Sequence, residues 1–405
     1  MGCSSSLLKK QKVIDPIQAS EQEARILSKL RELGLQFDGM GSNTELELIR
    51  QTFLSLQEID QNRKNVWLQA LYNDILAPLY FSKFDNFKYN SSNPFVPNQN
   101  LLCQLRNKDF DTIIKPKDEL RECLLNIFWD HMNIFNIDLV KMQRFIMAVC
   151  ENYQDNPFHS FYHAFSVCQM IFTISEKNNQ FGRFLLPMEN FALFLSGLGH
   201  DLNHPGVTNV FMINSRHPLA VRYNDISVLE NHHAATLIHF LELPGCDILN
   251  SMSSEDQTHM RKIIIPTVLA TDMAKHNFVM EHFISCMREF NKDKGEHRQS
   301  FLDIVLHACD VGNPVMKFEL ATVWSLKIIQ EFNEQVWKEE QKSIPVSEFM
   351  RIGSDINKIK RNQIGFIDMF IHPLWMLLGN HVEGIEEYLE SIENNRRSWE
   401  KIESL

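Results

Sequence analysis

The stretch Phe191–Asn209, "FALFLSGLGHDLNHPGVTN", changes character at position 200. A run of apolar and small residues gives way to His200, Asp201 and His204. An uninterrupted apolar run of this kind fits a helix buried on all sides. The polar residues that follow then have two readings. They are metal ligands, or they are polar side chains standing where a helix leaves the core.

On both sides of this stretch the apolar spacing is helical. Leu120, Leu124, Ile127 and Phe128 form one stripe; Ile385, Leu389, Ile392 and Trp399 form another. Far upstream, Ile26, Leu30 and Leu33 share a face that stops at Gly34. Thr44-Glu45-Leu46-Glu47 reads as a capping box ahead of Ile49, Phe53 and Leu56. Alternating strand patterns are scarce, and no internal repeat is found. The fold class is therefore all-α. Residues 85–100, "DNFKYNSSNPFVPNQN", are rich in Asn, Ser and Pro and read as a linker. The chain divides into a tail over 1–20, a small helical region over 21–84, a linker over 85–104 and a large helical domain over 105–405. Residues 21–100 show no chemistry, and packing or formation of a homodimer is their expected role.

With 51 acidic against 40 basic residues the net charge is −11. That disfavours nucleic acid as a partner, since a phosphate backbone requires a basic surface. A small anionic substrate stays compatible, because bound metals supply local positive charge. The eight cysteines are scattered without a CxxC pair and read as reduced thiols of an intracellular protein. No apolar run reaches the about 18 residues of a membrane span. The opening "MGCSSS" matches the N-myristoylation pattern at Gly2. Cys3 beside it is a palmitoylation candidate, and Lys9, Lys10 and Lys12 form a basic patch. One myristoyl chain holds a membrane only marginally, and a second acyl chain or a basic patch makes the anchoring stable. The expected location is the cytoplasmic face of a membrane.

Sixteen histidines are unevenly placed. Beyond "HDLNH" they gather in "NPFHSFYHAFSV" (His159, His163) and in "LENHHAA" (His232, His233, with Glu230), while Asp310 stands in "LHACDVGNP". His159 and His163 are four apart, as are His200 and His204, so each pair shares a face if helical. Any single pair is more often an ordinary core or surface feature than a metal site. Four clusters of the same ligand types beside apolar helices are harder to dismiss, because burying that many ionisable groups unpaired is costly. Imidazole with carboxylate suits Zn2+, and carboxylate with water suits Mg2+ or Mn2+. Two ions about 3.5–4 Å apart can generate a hydroxide and clamp a phosphoryl group for in-line displacement. The pattern points to phosphoester chemistry.

The string His200-Asp201-x-x-His204-x-x-x-x-Asn209 resembles the HD(X2)H(X4)N pattern of class I cyclic nucleotide phosphodiesterases. "YNDISVLENHHAA", "VLATDMAKH", "DVGNP" and "NQIGFIDMFIHPLW" are similar to the family's further motifs in order and spacing, and the resemblance covers residues 105–390. It implies an all-α catalytic domain of the HD type that hydrolyses a 3′,5′-cyclic nucleotide to the 5′-monophosphate. By the same resemblance His163, His200, Asp201 and Asp310 would ligate a zinc ion, and Asp201 would bridge to a magnesium or manganese ion. His204, Glu230 and Thr271 would hold that second ion's waters. His159 would be the general acid that protonates the leaving O3′. Gln363 would hydrogen-bond the purine, Phe366 would stack on it, and Asn313 would sit near the base. The family's Asn after the acid is Ser160 here, and the Asp of its "HAxDV" string is Ser166. Neither change touches a proposed ligand.

"NPFHSFYHAFSVCQM" and "AVRYNDISVLENHH" are most similar to the type 9 branch, which is selective for cGMP. That branch has a Glu after the Asn of the motif matching "GNP". Here the residue is Pro314, the pattern of cAMP-selective branches. A glutamine amide pairs with either purine by turning over, so its neighbours decide. Asn313-Pro314 tips the expectation slightly towards cAMP. The rival readings are a catalytically dead, anchored nucleotide-binding scaffold and a different HD-type phosphohydrolase. The first requires a lost ligand, and the second leaves Gln363 and Phe366 unexplained.

Overall fold

The apolar run at 191–199 is the inner helix of the domain, with Phe191, Ala192, Leu193, Leu195 and Leu198 out of contact with solvent. The computed structural model describes residues 95–177 and 181–403. The features expected at Gly2, Cys3, the basic patch and residues 21–84 lie outside the described residues. Among the described residues no strand occurs.

Helices α1 (Gln99–Leu105), α2 (Lys117–Ile134), α3 (Leu139–Asn152) and α4 (Phe161–Glu176) precede the inner helix α5 (Pro187–Gly199). After it come α6 (Asn209–Asn214), α7 (Val228–Glu242), α8 (Ser254–Leu269), α9 (His276–Arg288) and α10 (Gly295–Asp310). The last part of the domain holds α11 (Phe318–Gln341), α12 (Ile356–Phe366), a π-helical turn at Ile367–Ile371, α13 (His372–Gly379) and α14 (Glu386–Lys401). None of these helices is long and apolar enough to cross a membrane. The seven described cysteines are free, and only Cys103 is exposed.

Helix α5 starts on Pro187, whose missing N–H costs nothing there, and the Glu189 carboxylate accepts the Leu186 N–H at 2.9 Å. It packs against α4, α7, α8 and α10. Two glycines set how closely. A Cβ on Gly197 would stand 2.5 Å from Ile171 Cδ1 of α4, and one on Gly199 would stand 2.7 Å from Leu237 Cδ1 of α7. Without side chains at these positions, α4 and α7 close onto the C-terminal half of α5. The histidines those helices carry are drawn to the place where α5 ends.

The expected linker over 85–104 ends in structure. Asn98 Oδ1 accepts the N–H groups of Asn100 and Leu101 at 3.1 and 3.2 Å, capping α1. Its own N–H donates to Asn126 Oδ1 of α2 at 2.7 Å, and Leu102 and Leu105 are buried. The helical domain therefore includes α1.

Candidate active site

Three helix termini converge to build the site. Helix α5 stops before His200, and the chain leaves it through Asp201, Leu202 and a left-handed Asn203 (φ 62°). It then passes His204 and a left-handed Gly206 (φ 65°). Helix α4 begins just after His159, with Ser160 as its N-cap, and α10 ends on Asp310. The two histidine pairs with four-residue spacing therefore do not lie along helix faces. His159 precedes α4 while His163 sits in its first turn, and His204 lies in the turn beyond α5. Each pair converges because the chain changes direction between its members.

Four donor atoms meet at this centre. His163 Nε2 and His200 Nε2 stand 3.3 Å apart. Asp310 Oδ1 is 3.0 and 3.1 Å from them, and Asp201 Oδ2 is 3.5 and 3.2 Å from them. Ligands about 2.0–2.2 Å from an ion stand about 2.8–3.6 Å apart across angles between a right angle and the tetrahedral one, so the four atoms are spaced as donors around one ion. His200 Nδ1 donates to the Gly197 carbonyl at 2.9 Å, which aims Nε2 inward. Asp201 Oδ2 is buried with no hydrogen-bond partner. Burial opposes a charge on His200, but Asp201 and Asp310 outweigh it and hold the imidazole well above its ordinary pKa. Both carboxylates, though buried, are held well below theirs by His200. The residues fit a divalent cation at the centre.

A second group adjoins the first through Asp201. The donor atoms of Asp201, His204 and His233 lie within 4.8 Å of one another. His233 Nδ1 donates to Leu202 O at 2.8 Å, leaving Nε2 unpartnered and 3.7 Å from Asp201 Oδ1. Burial holds His233 down at about 4, so its ring is neutral. Glu230 is gripped by the last residue of the opening motif. Asn209 Nδ2 donates to both Glu230 oxygens at 3.1 and 2.9 Å, while Asn209 Oδ1 accepts the Leu229 N–H at 2.8 Å. Burial, and then the charge of Asp272, pushes the Glu230 carboxyl up to about 7. Thr271 is buried, its hydroxyl donating to Val268 O at 2.9 Å.

His159 is paired with Glu331 of α11, a residue that no motif had singled out. Its Nδ1 lies in a short contact with Glu331 Oε1. The backbone N–H groups of Phe158 and His159 donate to Glu331 Oε2 at 3.0 and 3.1 Å. Burial disfavours charge on His159, but the facing carboxylate overrides it and lifts the imidazole to about 9. Glu331 is pulled down to about 2 against its own burial. Asn156 was also missed. Its Nδ2 donates to His159 O at 2.8 Å and to His204 O at 2.7 Å, and the two imidazoles stack at 4.0 Å. The Ser160 hydroxyl turns back to Phe158 O at 3.2 Å and does not cap α4, while Ser166 is buried within that helix. One signal for Glu331 was available. With Trp324, Ile328 and Gln335 it falls at core spacing on α11, where a glutamate needs a partner.

Gln363 is buried on α12 and Phe366 is the helix's last residue, one turn on. Asn313 opens the 3-10 turn that follows α10, and Pro314 beside it is buried. The Ser325 hydroxyl of α11 is 2.7 Å from Gln363 Oε1 and 2.7 Å from Ala321 O. A hydroxyl has one proton. Given to the Ala321 carbonyl, it leaves the oxygen to accept from the glutamine NH2; given to Gln363, it meets the amide oxygen. Ser325 therefore holds the amide in place without fixing which end faces it.

The sequence profile of the family described as 3'5'-cyclic nucleotide phosphodiesterase matches residues 158–392. The high affinity cGMP-specific 3',5'-cyclic phosphodiesterase 9A of Mus musculus is 31% identical, covering 96% of this chain and 74% of that protein. The 3',5'-cyclic-nucleotide phosphodiesterase regA of Dictyostelium discoideum is 33% identical over 73% of this chain and 38% of its own length. Among solved structures, the phosphodiesterase domain of the RhoPDE fusion protein from Salpingoeca rosetta superposes with a TM-score of 0.70 at 32% identity. It covers 73% of this chain and 94% of that one.

Proposed function

This chain belongs to the 3'5'-cyclic nucleotide phosphodiesterases, and from that premise we propose that it cleaves the cyclic phosphodiester with His159 as the acid beside a two-ion centre. The observation that carries the reading is the group His163, His200, Asp201 and Asp310, spaced as donors around one ion, next to an imidazole charged by Glu331. His163, His200, Asp201 and Asp310 would hold Zn2+, and Asp201 with His204 and His233 would serve Mg2+ or Mn2+, whose waters Glu230 and Thr271 would orient. Bound divalent ions supply Lewis acidity to water and positive charge to the phosphodiester. The remaining work belongs to the chain's own residues. His159 is cationic at neutral pH and gives its proton to the O3′ leaving group. Glu331 keeps that proton in place and fixes the ring. Gln363 hydrogen-bonds the base, Phe366 stacks on it, and Asn313 lies beside it.

We assign cAMP as the preferred nucleotide, because Pro314 offers no carboxylate to pin the Gln363 amide in one orientation. A second reading, cGMP, is favoured by the names of the type 9 relatives from mouse and human. Measuring kcat/KM for both nucleotides, with metal analysis of the same sample, decides between them. A strong cGMP preference overturns the assignment. Asp310→Ala is expected to lose metal and activity together.

Placement at the cytoplasmic face of a membrane, through acylation of Gly2 and Cys3, is a separate proposal supported by the "MGCSSS" pattern and the nearby lysines. Gly2→Ala is expected to move the protein from the membrane to the soluble fraction. Unchanged fractionation ends that proposal.

A further inference from the structure

We propose a second, peripheral transition-metal site formed by His282, Cys286 and Glu296. His282 and Cys286 are four residues apart on α9 and so share one helix face, and Glu296 lies in the first turn of α10, which packs against α9. His282 Nε2 stands 3.8 Å from Cys286 Sγ and 4.0 Å from Glu296 Oε1, and the three donor atoms all lie within 4.8 Å of one another. The ring of Phe278, one turn back on α9, stacks on the His282 imidazole at 5.8 Å with the planes 3° apart. That stack holds the imidazole plane.

Zinc takes sulfur at about 2.3 Å and nitrogen or oxygen at about 2.0–2.2 Å, which sets neighbouring donors about 3.3–3.6 Å apart. The two His282 gaps exceed that by about 0.2–0.7 Å, and the Cys286 and Glu296 donors lie within 4.8 Å of each other. The side chains can close them, since His282 is 29% and Glu296 73% exposed. A thiolate with an imidazole selects a borderline-soft ion such as Zn2+ or Co2+ over Mg2+, and three protein ligands leave a fourth position for water. None of the three residues enters the catalytic centre. Glu296 and Asp310 stand near opposite ends of α10, about 21 Å apart at 1.5 Å per residue. An ion at the peripheral site would tie α9 to the start of the helix whose last residue serves the centre.

The test uses Co2+ added to the full chain with its catalytic ions in place. A sulfur-to-cobalt charge-transfer band requires a thiolate ligand, and the catalytic group offers only nitrogen and oxygen. The expected result is a band that saturates at one Co2+ per chain and is lost in Cys286→Ser. In His282→Gln and Glu296→Gln its affinity is expected to fall by about tenfold or more, with cyclic nucleotide hydrolysis kept. No band in the wild-type chain, or a band unchanged in His282→Gln, overturns the site. Because the readout depends on sulfur, it stands or falls apart from the reading of the catalytic centre.

Discussion

Glu331 sets the protonation state of His159, the residue proposed as the acid. With the carboxylate in contact the imidazole titrates at about 9, so the acid form dominates at neutral pH and is lost as pH rises through that value. In Glu331→Gln burial is no longer opposed by the adjacent charge, and the pKa falls. The alkaline limb of the kcat profile is then expected to move to lower pH, with kcat at pH 8 reduced more than at pH 6. An unmoved limb rejects this role for Glu331. His159→Ala is expected to cut kcat by about 10²–10⁴-fold while bound metal stays constant. If metal is lost too, His159 is a structural part of the centre. The raised pKa also has a stability sign: it adds stability that is complete below the ordinary 6.5 and is lost as pH rises through about 9. At this scale the clustering of His163, His200, Asp201 and Asp310 was legible, since short strings of His and Asp announce themselves. Glu331 was not, because it reaches His159 from 172 residues away and only the packing of α11 puts it there. Nor was Asn156, whose work is to bridge two backbone carbonyls.

The turn after α5 is the element on which the centre hangs, and Gly206 is its tightest point. Its φ of 65° is one that L side chains adopt only at a cost, and an added Cβ would meet Asn156 Oδ1 at 2.8 Å. Asn156 is the side chain that joins His159 to His204, so crowding it displaces the proposed acid. Gly353 offers the control, with the same φ of 65° and nothing within 4 Å of an added Cβ. Both Gly206→Ala and Gly353→Ala are expected to lose about 1–2 kcal/mol from backbone strain. Only Gly206→Ala is expected to lose turnover as well, which thermal melts and kcat measured on the two variants will show. Equal kcat in both would mean that Asn156 does not position His159. Helix content was easy to read, because the apolar stripes recur with helical spacing and strand alternation is scarce. Where helices begin and end was harder. The Asn- and Pro-rich residues before α1 read as a linker because the same residue types make both loops and caps, and only the bond from Asn98 to α2 tells them apart. For the same reason a spacing of four, which suggested one helix face, here spans a helix end.

Across the whole domain, the centre is where distant parts of the chain are joined. His163 and Asp310 are 147 residues apart in sequence, yet their donor atoms are 3.0 Å apart. They come from α4 and from the end of α10, with the end of α5 between them. Packing alone must otherwise hold two carboxylates and two imidazoles together inside a largely apolar interior. A bound cation would balance that charge and link three helices, and so would stabilise the folded chain according to its selective affinity for it. At a free ion concentration about 100 times Kd the gain is about 2.7 kcal/mol. For a domain of about 300 residues each kcal/mol moves Tm by about 1.5–2 °C. Stripping the ions with a chelator is therefore expected to abolish hydrolysis and to lower Tm by several degrees. Adding Zn2+ back should restore most of the loss before the second ion is supplied. Asp310→Ala, already lacking a donor, is expected to melt at nearly the same temperature with and without chelator. Calorimetry on both chains, each with its metal content measured, makes the comparison. A wild-type Tm that stays fixed after the metal is shown to be gone would mean that helix packing holds the four donors together unaided, and that the ion is needed for the reaction alone.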